Sequence, residues 1–380
     1  MTAGNWSVPE TEVMDAIGDA IDGEQAVLAT VVGVEGNAYR RPGAKMVIAD
    51  EGDGIGSITA GCLEDEVLAL AADVIADGRP RLETFDLTGE DDVWGLGVGC
   101  NGVIDILLEP LDPSYRPVLE AYGNGRDVAV LAMLDGASTG ADQGDRGYAY
   151  PAGDTLSLDV PDWPAWLVDA LEGPTAELLD ADTSDTLTFE RDGETVQVFV
   201  DSVTAPPDLV VFGTGHDVAP VADLASQVDF RVTVAGFRGA TATEDRFPGA
   251  DRVISTSPAN VREVLDLDGT TYAVVMTHNF IDDRLTLEEL LDSPVPYIGL
   301  LGPRERFEEI REECNAAGRE FTEAELERIY TPAGLDLGGE TPFHIAQSIA
   351  AEVTAVRFDR DPKHLREREG HIHERPAIDQ

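Results

Sequence analysis

Apolar residues along this chain come in two rhythms, and the change from one to the other falls near residue 206. In the first half, Val13, Ala16, Ile17, Ala20 and Ile21 follow Pro9 at helical spacing and predict an amphipathic helix. AVLATVVGV (26–34) and KMVIAD (45–50) predict strands, joined by the loop EGNAYRRPGA. Leu63, Val67, Leu70, Ala71 and Val74 predict a helix over about 63–77. RLETFDL (81–87) and GVIDILLEPL (102–111) predict strands on either side of the glycine-rich WGLGVGC (94–100). DVAVLAML (127–134) predicts another strand, and DTLTFERDGETVQVFVDSV predicts a hairpin turning at Asp192-Gly193.

From residue 208 the apolar runs become short, continuous and β-branched. LVVF (209–212), VTVA (232–235), RVIS (252–255), YAVVMT (272–277) and YIGLL (297–301) predict parallel strands covered on both faces, with helical segments between several of them. The expected fold class is α/β: a compact N-terminal α/β module and a C-terminal Rossmann-like, doubly wound parallel sheet. The expected division is 1–112, a less informative middle region 113–205 ending at Ala205-Pro206-Pro207, the parallel sheet over 206–357, and a polar tail 358–380.

Charge changes the picture of the surroundings more than of the fold. The chain of 380 residues has 74 acidic against 26 basic residues, a net charge of −48, and Lys45 and Lys363 are its two lysines. The acids are spread rather than blocked, which fits a folded protein whose self-repulsion is screened in a high-salt cytoplasm. Binding nucleic acid or anionic lipid through a broad basic surface is not expected. No membrane span or signal peptide is expected, which places the protein in the cytoplasm. Cys62, Cys100 and Cys314 form neither a disulfide framework nor a CxxC zinc motif.

Candidate chemistry gathers at a few turns. In FGTGHDVAPVADLA (212–225) a buried strand enters Gly213-x-Gly215 and opens a helix. Gly213 allows the tight turn, and Gly215 lets a phosphate approach bare backbone at the helix N-terminus. Val218 replaces the third glycine of the dinucleotide fingerprint, and the second strand ends at Gly236 with no carboxylate for a ribose. Arg238 either meets an additional phosphate or is a surface arginine. His216, His278 and Asn279 are placed to face the crevice, or the imidazoles cap backbone groups. Gly299 and Gly302 bring the fifth strand out beside Arg304 and Arg306, which serve a phosphate or pair with local glutamates. Arg40-Arg41-Pro42-Gly43 either meets an anionic ligand or only turns the chain. Cys62 and Cys100, each after a glycine, are ligand-facing thiols or small apolar fillers. Cys314 is expected to be structural. No Ser/His/Asp set, P-loop or HExxH motif occurs.

Taken together, GNAYRRPGAKMVI, SITAGCLEDEV, WGLGVGCNG and ILLEP resemble the N-terminal module of the XdhC/CoxI family, the accessory factors of xanthine dehydrogenase and related molybdenum hydroxylases. LVVFGTGHDVAP, THNFIDD, YIGLLGPRERFEEI and PAGLDLGGETPFHIAQSIAAEV resemble its C-terminal Rossmann module. The resemblance covers most of 1–112 and 206–357. It implies a protein that binds molybdenum cofactor, as molybdopterin or its dinucleotide. Such a protein supports sulfuration by a cysteine desulfurase and passes the cofactor to an apo molybdenum hydroxylase. It also implies a homodimer, a non-catalytic role, and a thiol at Cys100 or Cys62 near the metal, with Cys100 as the metal contact. Two departures stand out: Gly236 where the family often carries an acid, and Asn101 between Cys100 and Gly102. The other readings are an NAD(P)-dependent oxidoreductase with His278 as proton donor, and a nucleotide-binding scaffold.

Overall fold

The structure is a computed structural model describing residues 5–23, 25–49, 54–88, 101–136, 139–153, 155–191 and 193–367. It divides into two compact units, Met1–Ala205 and Pro206–His373.

The first unit opens with α1 (Glu10–Asp22), whose Val13, Ala16 and Ile17 are buried as the spacing predicts, together with Met14, while Ala20 and Ile21 are half-buried. Strands β1 (Ala26–Asn37), β2 (Lys45–Ala49) and β3 (Gly54–Gly56) follow, then α2 (Glu64–Asp77), β4 (Arg81–Asp86) and β5 (Asn101–Pro110). They form one antiparallel sheet in the order β3-β2-β1-β5-β4. Next come α3 (Arg116–Gly123), β6 (Val128–Asp135), β7 (Arg146–Ala152), β8 (Thr155–Asp159), α4 (Ala165–Asp180), β9 (Asp185–Arg191) and β10 (Glu194–Val203). These strands form a second antiparallel sheet in the order β8-β7-β6-β10-β9.

Alternation along the strands sorts the core of this unit. Val27, Ala29 and Val31 of β1 face α2, where Val67, Ala71 and Val74 cover them. Ala129, Leu131 and Met133 of β6 face α4 and its Leu167, Leu171 and Leu178. The intervening residues Val32, Leu107, Ala132, Leu134 and Phe199 meet between the two sheets. The layers therefore run helix, sheet, sheet, helix. The segment 113–205, where the sequence indicates one strand and a hairpin, also holds β7, β8 and α4. Their signals are faint because β8 is exposed at alternate positions and α4 contains Pro174.

The second unit is a six-stranded, wholly parallel sheet: β11 (Asp208–Phe212), β12 (Arg231–Gly236), β13 (Arg252–Ser255), β14 (Thr271–Val275), β15 (Tyr297–Leu300) and β16 (Ile329–Tyr330). The order β13-β12-β11-β14-β15-β16 reverses direction between β11 and β14. In such sheets the crevice at the carboxyl ends of those two strands is where ligands bind. Helices cover both faces. α5 (Val218–Ser226) and α10 (Pro342–Arg357) pack on Val211, Val232, Val234 and Val274. α6 (Val261–Val264), α7 (Phe280–Leu291) and α8 (Arg304–Ala316) pack on Val210, Phe212, Ala273 and Ile298. The short α9 (Glu323–Glu327) is fixed by a capping box between Thr322 and Glu325. No described helix is long and apolar enough to cross a membrane.

Candidate functional site

The reversal between β11 and β14 leaves two adjacent strand ends to feed α5 and α7, and the residues there build the site. Gly213 leaves β11 at φ +149°, and a Cβ on it would lie 2.6 Å from the Met276 carbonyl oxygen. Glycine is therefore required where the two strand ends pass each other. Val218, in the place of the third glycine, is fully buried in the α5 core.

The turn itself carries a charge that sequence reasoning did not single out. Asp217 precedes α5 and makes no side-chain cap to the helix. Its carboxylate folds back over the turn, so that a Cβ at Gly215 would lie 2.3 Å from Oδ1. Oδ2 lies 2.9 Å from Nε2 of His278. His278 follows β14 and holds φ at +56°, an uncommon conformation for a residue with a side chain, and it is 58% exposed. The positive end of α5 thus already faces a carboxylate steadied by an imidazole. An incoming phosphate would meet that negative charge. A group offering N–H donors would match it. The signal was present in the sequence as Asp217 directly after Gly215-His216, but only the fold shows it meeting His278.

Around this dyad the loops are tied down. Thr214 and Thr241 share a hydroxyl hydrogen bond of 2.7 Å, and Arg246 donates to the carbonyls of Thr214 (2.9 Å) and Thr241 (2.6 Å). A Cβ at Gly236 would lie 2.7 Å from Thr214 Cγ2 and 2.8 Å from Ala242 Cβ. A strand-end carboxylate for a ribose therefore has no room without moving both loops.

His216 is exposed on the turn. Asn279 caps α7, its side chain accepting from the amides of Ile281 and Asp282. Arg238 pairs with Asp282 at 2.9 Å yet stays 63% exposed. Asp283 is buried, accepts from Arg306 Nε at 2.9 Å and bonds the Thr277 hydroxyl. Gly302 (φ +133°) clears the path of Arg306, whose Cδ would lie 2.9 Å from a Cβ there. Arg306 thus braces α7 against α8, and Arg304 is exposed at the start of α8. Gly299 lies inside β15, where a Cβ would meet the Tyr297 hydroxyl at 2.5 Å. That hydroxyl donates to the Glu352 carboxylate at 2.7 Å, which also takes the Gly334 amide at 2.8 Å.

In the first unit, Arg40 pairs with Glu10, and Arg41 is half-buried in the turn whose carbonyl accepts from the Ala44 amide. Cys62 lies just before α2, half-buried against the apolar cluster beneath that helix. Its amide donates to the Thr59 hydroxyl at 3.0 Å. The neighbouring Glu64 is buried and accepts from the amides of Thr59 and Leu63. Cys100 and the glycines of 94–100 lie outside the described residues. Cys314 is fully buried beside Glu288, and burial, aided by that carboxylate, pushes its thiol up to about 11. No group of three or more metal-ligating side chains occurs among the described residues.

Residues 209–353 match the XdhC Rossmann domain, and residues 21–86 match the XdhC and CoxI family. The chain is 30% identical over 341 residues to a probable xanthine dehydrogenase subunit of Bacillus subtilis, covering 88% of this chain and 94% of that one. It is 22% identical over 367 residues, 94% of each, to the molybdenum cofactor insertion chaperone PaoD of Escherichia coli. A crystal structure described as a xanthine dehydrogenase from Bacillus halodurans superposes with a TM-score of 0.71 at 28% identity, covering 93% of this chain and 97% of that one. With matches in both units and a relative aligned along most of its length, the chain belongs to the XdhC and CoxI family.

Proposed function

We propose that this chain is an accessory factor that binds molybdenum cofactor and supports its insertion into a molybdenum hydroxylase of the xanthine dehydrogenase type. The observation that carries this reading is the near full-length similarity to a molybdenum cofactor insertion chaperone. The crevice of the second unit fits part of that group. Asp217 and His278 suit the N–H donors along the aminopyrimidinone edge of a pterin, a stronger match than phosphate at the same turn. Thr214 and His216 adjoin them, and Arg238 is an exposed cation on this edge for the phosphate or its dinucleotide extension. Gly213, Gly215, Asn279 and Gly302 shape the loops rather than grip the ligand, and Gly299 makes room for Tyr297 inside β15.

When bound, the cofactor supplies molybdenum and its ligand sulfurs; this chain's residues bind it, orient it and shield it from water. A soft thiolate suits such a centre, and Cys100, with Cys62 as the other candidate, takes that role. In the same reading the cofactor receives its terminal sulfur from a cysteine desulfurase while held by a homodimer of this chain. It then passes to the apo-hydroxylase in the cytoplasm.

Protein purified in high salt should retain about one molybdenum cofactor per chain, read by metal analysis and absorbance. Cys100→Ala should lose the metal-loaded form several-fold faster than metal-free molybdopterin; equal retention of both removes the thiol from the reading. Asp217→Ala should weaken retention several-fold, and a gain instead would return the phosphate to the Gly213–Gly215 turn. Failure of the unaltered protein to bind ends the proposal.

A further inference from the structure

The two sheets of the first unit share one topology. In the first, helix α1 precedes three strands, then α2 and two strands, in the order β3-β2-β1-β5-β4. In the second, α3 precedes three strands, then α4 and two strands, in the order β8-β7-β6-β10-β9. Taking β6 for β1, β7 for β2, β8 for β3, β9 for β4 and β10 for β5, the two orders are the same. The register agrees residue by residue. Leu28 pairs with Glu109 as Val130 pairs with Asp201. Thr30 pairs with Lys45 as Ala132 pairs with Arg146. Even the bulges coincide: the first ladder skips Val32 and the second skips Leu134, and both bulged residues point into one shared cluster.

These equivalences make Lys45 the counterpart of Arg146, and Glu109 the counterpart of Asp201. The ion pairs between the sheets are Lys45–Asp201 at 2.8 Å and Arg146–Glu109 at 3.0 Å, with all four side chains below one-tenth exposed. A two-fold rotation that carries one sheet onto the other turns each pair into the other. Contacts of this reciprocal kind are those of a symmetric dimer. Between the pairs lies a cavity of about 10 Å³, lined by the equivalent residues Leu28 and Val130, Thr30 and Ala132, Leu107 and Phe199. Tyr115 Oη and Arg146 Nε are buried there without a hydrogen-bond partner among the described residues. The volume holds one water, and buried donors of this kind require an acceptor.

We infer that residues 10–203 are a tandem duplication of one αβββαββ unit closed face to face as an internal two-fold dimer. The exchanged ion pairs are its specific interface, and the cavity on the axis is a binding site for a single water molecule. The second copy is a covalently attached partner of the first, whatever ligand the chain carries.

Two measurements on the full chain test this. Asp201→Ala and Glu109→Ala each leave a buried cation alone and should lower Tm by roughly 6–20 °C. Each loss should be largely recovered when the pair is made apolar, as Lys45→Met with Asp201→Leu and Arg146→Met with Glu109→Leu. The paired variants keep the test open if the single ones do not fold. Recovery at one pair alone, or at neither, overturns the two-fold interface. A high-resolution crystal structure should superpose the two copies strand for strand and show one solvent peak within hydrogen-bond distance of Tyr115 Oη. A dry cavity overturns the water site, and copies that do not superpose overturn the duplication.

Discussion

The two copies of the first unit solve the same folding problem with different amounts of chain, and the surplus falls on the connections that carry Cys62 and Cys100. In the second copy, β9 and β10 are joined by residues 192 and 193 alone. In the first, the equivalent β4 and β5 are separated by the whole of 87–100, which contains Gly95, Gly97, Gly99 and Cys100. The step from the third strand to the helix is likewise longer in the first copy, 57–63 against 160–164, and it carries Cys62. A two-residue turn suffices to return the chain. The glycine-cysteine segment is therefore not needed to turn a corner, which supports its assignment to the cofactor.

The largest effect should come from erasing this difference. Replacing 87–100 by Asp-Gly, the turn of the second copy, should abolish retention of molybdenum cofactor while shifting Tm by only a few degrees. Retained binding would make the long connection dispensable and break the contrast between the copies. A smaller effect should follow from the helices that cover the sheets. Leu171→Ala in α4 should cost about 2–5 kcal/mol and Val67→Ala in α2 about 2 kcal/mol in urea unfolding, both at fully buried positions. A loss confined to one copy would show that the two do not share a cooperative core.

The smallest effect concerns pH. Burial pushes the Glu109 carboxyl above its ordinary value, and Arg146 only partly opposes this. The native state then holds that proton to higher pH than the unfolded chain. The corresponding stability is full below the ordinary glutamate range and is lost as pH rises through the raised value. The advantage of the parent protein over Glu109→Gln should therefore shrink across that window, by about 1.4 kcal/mol for each pH unit the group is raised. An advantage that grows with pH would mean the ion pair, not burial, governs the group.

Much of the second unit was legible because its inner strands are covered on both faces; the expectation fails for RVIS, since β13 lies at the sheet edge with Arg252 and Ser255 exposed. Short, β-branched runs such as LVVF and YAVVMT, bounded by turns, match buried parallel strands, and Gly213-x-Gly215 marks the strand-to-helix turn. Arg306 was not legible. Its neighbours in sequence are Glu305 and Phe307, yet it serves Asp283, placed beside it by the packing of α7 on α8. Nor was Gly299, which read with Gly302 as bringing the fifth strand out beside Arg304 and Arg306 but yields space to Tyr297 two residues away in its own strand.

The sequence by itself determined the alternation of buried and exposed positions, the helix faces and the family. These rest on local periodicity and on motifs written in consecutive residues. Only the tertiary structure decided that Asp217 meets His278, that Lys45 and Arg146 are counterparts, and that two unlike stretches of chain are one fold used twice. Each of those depends on residues far apart in the chain brought together by strand order and register, which no local spacing encodes.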